Sequence, residues 1–559
     1  MQLRRILALY LSLILSAPSF AQQSGVSVQQ DSAAQQNLGR VVQSPEARSP
    51  NLPTRNTLQS QPTLILPDMG DPGGDALSPL DERKIGEQIM REIRRDRDFS
   101  NDWPIYDYLN QMERRLMQAA KRLQLGGANA QGSAAYDYEV FAIKDPSINA
   151  FALPGGFIGF HTGLLITAET DSEVASVMGH EIGHVLQRHI ARSLERQGTN
   201  SIIALAGIVL GALAAASNPS AAAGLITGGQ ALAIQNQLAY SRDAERESDR
   251  IGFQILQASG YDVNGAPAFF QRLQKFYGIM DSGVPAYVRT HPLTIDRIAD
   301  MQDRARTIQQ SRVPSTLEFY LVKARARVEQ SGSSSGLFDL RNVFESYSKQ
   351  AAPEKQMEGF YGLALVAQKQ GRLEQAEGFL QKARAVAQNV LAPGSPVQRQ
   401  SLSFDYTASE LALARGKAED ALQFAQNAAK ADPYSSQNAA KADPYSFSAV
   451  VAMVKAELKL GRTNDAITLL RAKTKAQPNE TIWWELLASA YDQDKKIGLR
   501  HYALAEKFAT EGAWPSAIEQ LKIARAAAGT DFYLGSVIDA RLRAFQNQYR
   551  EEQNEKRKS

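Results

Sequence analysis

Three side chains within five residues, His180, Glu181 and His184, have the types and spacing of a metal site with a base beside it. Positions four apart on a helix project from one face, so both imidazoles can reach one ion. Glu181 points about 100° round the axis, where it can take a proton from a metal-bound water without ligating the metal. The chain has six histidines, of which three lie between Val177 and Ile190. A chance His-Glu-x-x-His would turn up in only about a few per thousand chains of this composition. There is no cysteine, so thiolate ligands and disulfides are excluded, and the donor chemistry left is that of one Zn2+ held by imidazole and carboxylate.

A catalytic zinc needs a third protein ligand and an open position. His189, His291 and the acids of Ser241 to Asp249 are the candidates, with Glu245 and Asp249 on one helix face and Glu247 on another. Spacing alone does not choose among them.

The elements that must position these groups are legible. Thr170 and Glu173 form a capping box that starts a helix, and its apolar positions (Val174, Val177, Met178, Val185, Leu186, Ile190) run to a stop at Gln197-Gly198. Gly183 on this helix is read as leaving the metal side open. Before it, Val140 to Ile143, Phe151 to Leu153 and Phe157 to Phe160 read as short strands, with Pro154-Gly155-Gly156 as a turn. Ile85, Ile89 and Ile93, then Tyr106, Leu109, Met112 and Leu116, recur at helical spacing from Asp81 onward. A further helix spans Tyr240 to Ala258.

The remainder frames this unit. Arg4 and Arg5, an apolar run to Leu15 and small residues at Ser19 and Ala21 predict a secretory signal over 1–21, cleaved after Ala21. Residues 22–79 are rich in Gln, Ser, Pro and Ala and predict a disordered linker. The metal-binding unit is expected over 80–312 and a helical repeat region over 313–552. In that region Gly371, Gly416, Gly461 and Gly512 each precede an Ala by five residues. A tandem duplication, Gln426 to Ser436 followed by Gln437 to Phe447, inflates one 45-residue interval; without a copy it is 34, the period of a tetratricopeptide repeat. Trp483 and Trp484 are expected in its core. Ile202 to Leu232 is apolar but broken at Asn218-Pro219, which predicts a buried or membrane-touching hairpin, and hence at most peripheral membrane contact, over a spanning pair. A net charge of +3 with no basic stripe gives no reason to expect nucleic acid. An exported chain without cysteine fits the bacterial periplasm.

His180-Glu181-Ile182-Gly183-His184-Val185, the acidic helix, and Thr290-His291-Pro292 with Arg297 resemble the HtpX/CAAX-prenyl-protease superfamily of zinc metallopeptidases. The signal and the repeats resemble its BepA-like periplasmic branch. The resemblance implies a mainly α chain: a zincin-type α+β metallopeptidase domain with a small sheet, then an α-solenoid. It implies Glu245 as third ligand and Asp249 as a partner orienting a ligating histidine, with Ser248 where the family usually has Ala. It implies that His291 either stabilises the oxyanion or fills the fourth metal position. Asn149, Ala150, Phe151 and Ala152 resemble the segment that precedes the active-site helix, where an edge strand would pair with substrate backbone. The implied partners are unfolded or misassembled outer-membrane proteins and their assembly machinery. The rival expectation is a chaperone whose protease site is latent.

Overall fold

The protein is described here from a computed structural model covering residues 78–125, 137–197, 242–279, 286–308, 313–390, 401–431, 446–529 and 531–558. The leader, the linker up to residue 77, the apolar stretch Ile202 to Leu232 and most of the tandem duplication lie outside the described residues.

The first half packs helices round a three-stranded sheet. Helix α1 (Pro79–Ile93) is capped by Ser78, two residues earlier than its apolar periodicity announced, and α2 (Trp103–Arg122) by Asp102. Strands β1 (Glu139–Ile143), β2 (Ala150–Leu153) and β3 (Phe157–His161) follow, in the order β1-β3-β2. β3 runs parallel to β1 and antiparallel to β2. Gly155 and Gly156 close the β2–β3 turn at φ of 77° and 91°, a backbone that side chains resist. β2 is therefore a terminal strand, and among the described residues no strand pairs with its outer edge.

After the short α3 (Thr162–Thr167), α4 (Asp171–Leu186) runs through the middle of this half. Nearly every residue of α4 is buried, because β2, α2 (Trp103–Arg122) and two later helices, α6 (Arg242–Ala258) and α7 (Gly265–Ile279), cover it on all sides. Its cap is anchored. Thr170 Oγ1 accepts from the Glu173 N–H at 3.1 Å, and Arg272 of α7 grips the Glu173 carboxylate at 2.9 and 3.0 Å.

Two expectations for this helix are corrected. It ends at Leu186, not at Gln197: Arg188 takes φ 50°, the chain turns, and α5 (His189–Gln197) starts in a new direction. Gly183 does not open the metal side either. A Cβ there would lie 3.1 Å from Ser248 Cα, and one at Gly252 would lie 2.8 Å from the Gly179 carbonyl carbon and the His180 nitrogen. Small residues at 179, 183, 248 and 252 let α4 and α6 approach backbone to backbone, and that approach brings Glu245 to the histidines. The same reasoning accounts for the small side chain of Ser248.

Helices α8 (Ala286–Thr290) and α9 (Ile295–Arg306) complete the first half, and α8 is tied to the strand β2 end by the Tyr287 N–H donating to the Ile148 carbonyl at 3.2 Å. The second half is wholly helical among its described residues: α10 (Leu317–Gln330), α11 (Ser334–Tyr347), α12 (Pro353–Lys369), α13 (Leu373–Val390), α14 (Leu402–Ala414), α15 (Ala418–Ala431), α16 (Phe447–Lys459), α17 (Thr463–Ala476), α18 (Thr481–Gln493), α19 (Ile497–Thr510), α20 (Trp514–Ala527) and α21 (Phe532–Lys558). Among the described residues the molecule is thus mainly α, with a small sheet confined to its first half. Trp483 is fully buried, whereas Trp484 is only partly so and donates its indole N–H to the Pro478 carbonyl. The left-handed turn residues Gly461, Lys495 and Gly529 stand 34 residues apart. The 34-residue interval passes through Lys495, where no glycine signals it, while Gly512 closes the alternate turn. No helix among the described residues is long and apolar enough to cross a membrane.

Candidate metal centre

Helix α4 delivers His180, Glu181 and His184, α6 delivers Glu245 and Asp249, and the turn after α8 delivers His291. All six are buried. Donor atoms of His180, His184, Glu245 and His291 lie within 4.8 Å of one another. The His180 and His184 Nε2 atoms are 3.0 Å apart, and His180 Nε2 is 3.3 Å from His291 Nδ1. Glu245 Oε1 is 3.0 Å from His291 Nδ1 and 3.4 Å from His184 Nε2, with its Oε2 3.5 Å from His180 Nε2. Zinc held tetrahedrally at about 2.0–2.1 Å from nitrogen would space its ligands roughly 3.3–3.4 Å apart. The donor set has that size and chemistry, so it fits the ion.

Electrostatics agree. Burial works against a charged His180, yet its hydrogen bonds to Asp249 and Glu245 lift its pKa to about 10. Burial also opposes a charged Glu245, but the neighbouring His291 and the histidine hydrogen bonds hold its carboxyl well below the usual range. His184 is driven well below the ordinary imidazole value by burial. Glu245 is thus held charged and His184 neutral, the forms in which a carboxylate and an imidazole offer lone pairs to a cation.

The groups around the donors hold them still. Asp249 Oδ1 lies 2.9 Å from His180 Nδ1. Arg297 forks onto Asp249 at 2.6 and 2.8 Å, reaches Glu245 Oε2 at 2.6 Å, and donates to the Pro292 carbonyl at 2.8 Å. One guanidinium thereby binds two carboxylates of α6 to the loop bearing His291. Tyr287, one turn before His291, stacks on its ring at 4.6 Å between centroids. Tyr287 was missed from the sequence, although its position one turn before His291 places the two rings on one side of the chain.

Glu181 sits beside the donors and outside their ring, 3.5 Å from His291 Nε2. Burial pushes its pKa up, while His291, His180 and the Ala152 backbone N–H pull the other way. Ala152 of β2 therefore stands next to that carboxylate. Phe151 of β2 covers β3 at Gly159, and Asn149 contributes its carbonyl to the His161 N–H at 3.0 Å. His189, weighed as a ligand from the sequence, stands behind His184 on the side away from the donors, and Glu247 pairs with it. Asp243 remains solvent-facing, with Arg246 at 3.6 Å.

Comparison with known proteins points the same way. Residues 110–305 match peptidase family M48. The chain is 30% identical over 495 residues to the beta-barrel assembly-enhancing protease of Escherichia coli K12, covering 87% of this chain and 91% of that one. A putative beta-barrel assembly-enhancing protease of Vibrio cholerae is 38% identical over 272 residues, 48% of this chain and 53% of its own. The mitochondrial metalloendopeptidase OMA1 of Arabidopsis thaliana is 36% identical over 155 residues, 28% of this chain and 29% of its own.

Proposed function

Because the chain belongs to peptidase family M48 and is a metalloendopeptidase, we propose that its metal is zinc, held by His180, His184 and Glu245, with Glu181 as general base. The observation that carries this reading is the donor set itself, with contacts of 3.0 to 3.5 Å and a separate buried carboxylate beside it. Bound there, zinc would supply a Lewis acid for the scissile carbonyl and lower the pKa of an attacking water.

The chain's own groups supply the rest. Glu181 takes a proton from the attacking water and passes it to the leaving amine, and burial that raises its pKa suits a group that must do both. Asp249 orients His180 through Nδ1 and is itself fixed by Arg297. The outer edge of β2, with Asn149, Ala150, Phe151 and Ala152, receives the substrate as an added strand, which gives affinity through backbone hydrogen bonds.

His291 is read as the fourth donor and as a plug. Its Nδ1 stands among the ligands while its Nε2 faces Glu181, so one ring occupies the space that the scissile peptide and its water need. In this state the enzyme is latent, and it opens when the turn after α8 withdraws. Displaced but still close, the same ring can donate to the oxyanion.

The relatives' names describe beta-barrel assembly. On that basis the chain acts in the bacterial periplasm on misfolded or stalled outer-membrane proteins. Its helical second half, as a tetratricopeptide-type solenoid, recruits clients or assembly machinery and adds chaperone-like activity. Replacing Glu181 with Gln tests the mechanism: the variant should keep one zinc per chain and lose cleavage of an unfolded outer-membrane protein by at least about a thousandfold. Wild-type turnover by that variant would refute Glu181 as base. The occluding His291 also favours the second reading, a chaperone with a latent protease. If the Glu181→Gln chain restores envelope integrity to cells lacking the protein, that reading carries the physiological role.

A further inference from the structure

The break in the chain at Arg188 has a chemical consequence. Had α4 continued, His189 would have pointed away from His184, five positions on. Instead α5 folds His189 back, and its Nδ1 lies 2.8 Å from His184 Nδ1. The other side of the ring, Nε2, lies 3.0 Å from Glu247 Oε2, and Arg192, one turn further along α5, binds the same carboxylate oxygen at 2.9 Å. His184 and His189 are buried, and Glu247 sits at the rim.

Proton bookkeeping fixes the direction of this chain of contacts. A His184 that offers its Nε2 lone pair to a metal must carry its proton on Nδ1. That N–H donates to His189 Nδ1, which must then be an acceptor. His189 accordingly carries its own proton on Nε2 and donates it to Glu247. Ser248 Oγ, at 3.3 Å from His189 Nδ1, is the more distant neighbour of that nitrogen.

We infer that His189 and Glu247 are positioning residues for the metal: the Glu247–His189 pair selects the tautomer of His184 and holds its ring toward the donor set. Asp249 does the equivalent work for His180 with a direct carboxylate, so the two ligating histidines are oriented by different devices. Orientation of this kind is typically worth about 10–100-fold in metal affinity. The inference rests on the reading of His184 as a ligand.

The test uses the full-length chain and zinc itself, in competition with a chromophoric chelator. His189→Phe keeps a ring in the site but offers no acceptor, and zinc affinity should fall by about 10–100-fold. His189→Gln can accept from His184 and donate to Glu247, and should recover most of that loss. Glu247→Ala, made at the half-exposed end of the chain, should cost a smaller factor and serves if His189→Phe does not fold. With only six histidines in the protein, selective nitrogen-15 labelling of the zinc-loaded chain reads the tautomers directly: His189 should be the neutral Nε2–H form. Unchanged affinity in folded His189→Phe, equal loss in the Phe and Gln variants, or an Nδ1–H tautomer at His189 would each overturn the inference. His184→Ala separates the two claims. If it binds zinc as tightly as wild type, the ligand assignment fails. If it loses zinc while His189→Phe and Glu247→Ala do not, only the positioning role fails.

Discussion

Glu245 and Asp107 are both carboxylates sealed from solvent, yet they keep different company. Glu245, in the first half, faces three imidazoles and an arginine. Asp107, on α2, faces the start of α16 in the second half. It accepts from the Phe447 and Ser448 N–H groups at 2.8 Å each and from the Ser446 hydroxyl at 3.0 Å, with the Ser448 hydroxyl beside them. Glu318 of α10 serves the start of α14 in the same way, through Ser401 and Ser403. Asp107 and Glu318 therefore end on backbone donors and hydroxyls, where one carboxylate satisfies several orphan groups. In the metal centre Glu245 ends on groups that can exchange a proton for a metal ion. Burial of a carboxylate does not by itself mark chemistry; the identity of its partners does.

The largest expected effect comes from breaking the α4–α6 approach that only the first half requires. A Cβ at Gly252 would meet His180 N at 2.8 Å, so Gly252→Val must push the two helices apart. Overpacking of this kind costs about 1–3 kcal/mol, and zinc affinity should fall by more than about a hundredfold because Glu245 leaves the donor set. Chelator competition and thermal unfolding measure the two losses. Near-normal zinc binding would show that the close approach does not position Glu245.

Next in size is the cap between the halves. Asp107→Ala strips the acceptor from two N–H groups and two hydroxyls, and should cost about 2–4 kcal/mol in denaturant unfolding, with zinc stoichiometry unchanged. A loss of zinc would mean that the two kinds of buried acid are not separable. Burial also raises the Asp107 pKa to about 6. Its folded value thus exceeds its unfolded value near 4, and the native state binds the extra proton between them. This group therefore adds stability below about pH 4 that is lost as pH rises through 6, on the order of 1–3 kcal/mol. Wild type should lose that much relative to Asp107→Asn across the window.

The smallest effect sharpens the second half alone. Lys495 holds a left-handed turn at φ 57° that Gly461 and Gly529 hold at the neighbouring 34-residue positions. Lys495→Gly should stabilise the chain by about 0.5–1 kcal/mol, since glycine adopts that backbone without the Cβ penalty. Unfolding curves that shift the other way would place a side-chain role at Lys495.

Residue spacing was enough to locate the metal helix, the acidic helix, the three strands and the helical texture of the second half. Each of these is a local pattern: a cap, a period of two or 3.6, a turn dipeptide. The break at Arg188 was not legible, because an arginine in a left-handed turn leaves no mark in composition. Lys495 was missed for the same reason.

By itself the amino-acid order determined that a metal could bind, since two imidazoles four apart on a helix converge whatever surrounds them. It left Glu245, Glu247, Asp249, His189 and His291 as rivals from separate segments. The family resemblance named Glu245 and Asp249 among them, and the tertiary structure shows where each of the five stands. Glycines at 179, 183 and 252 set how closely two helices pack. That distance puts Glu245 among the donors, Asp249 behind His180 and the His189–Glu247 pair behind His184. Such sorting depends on contacts between residues distant in the chain, which no local period encodes.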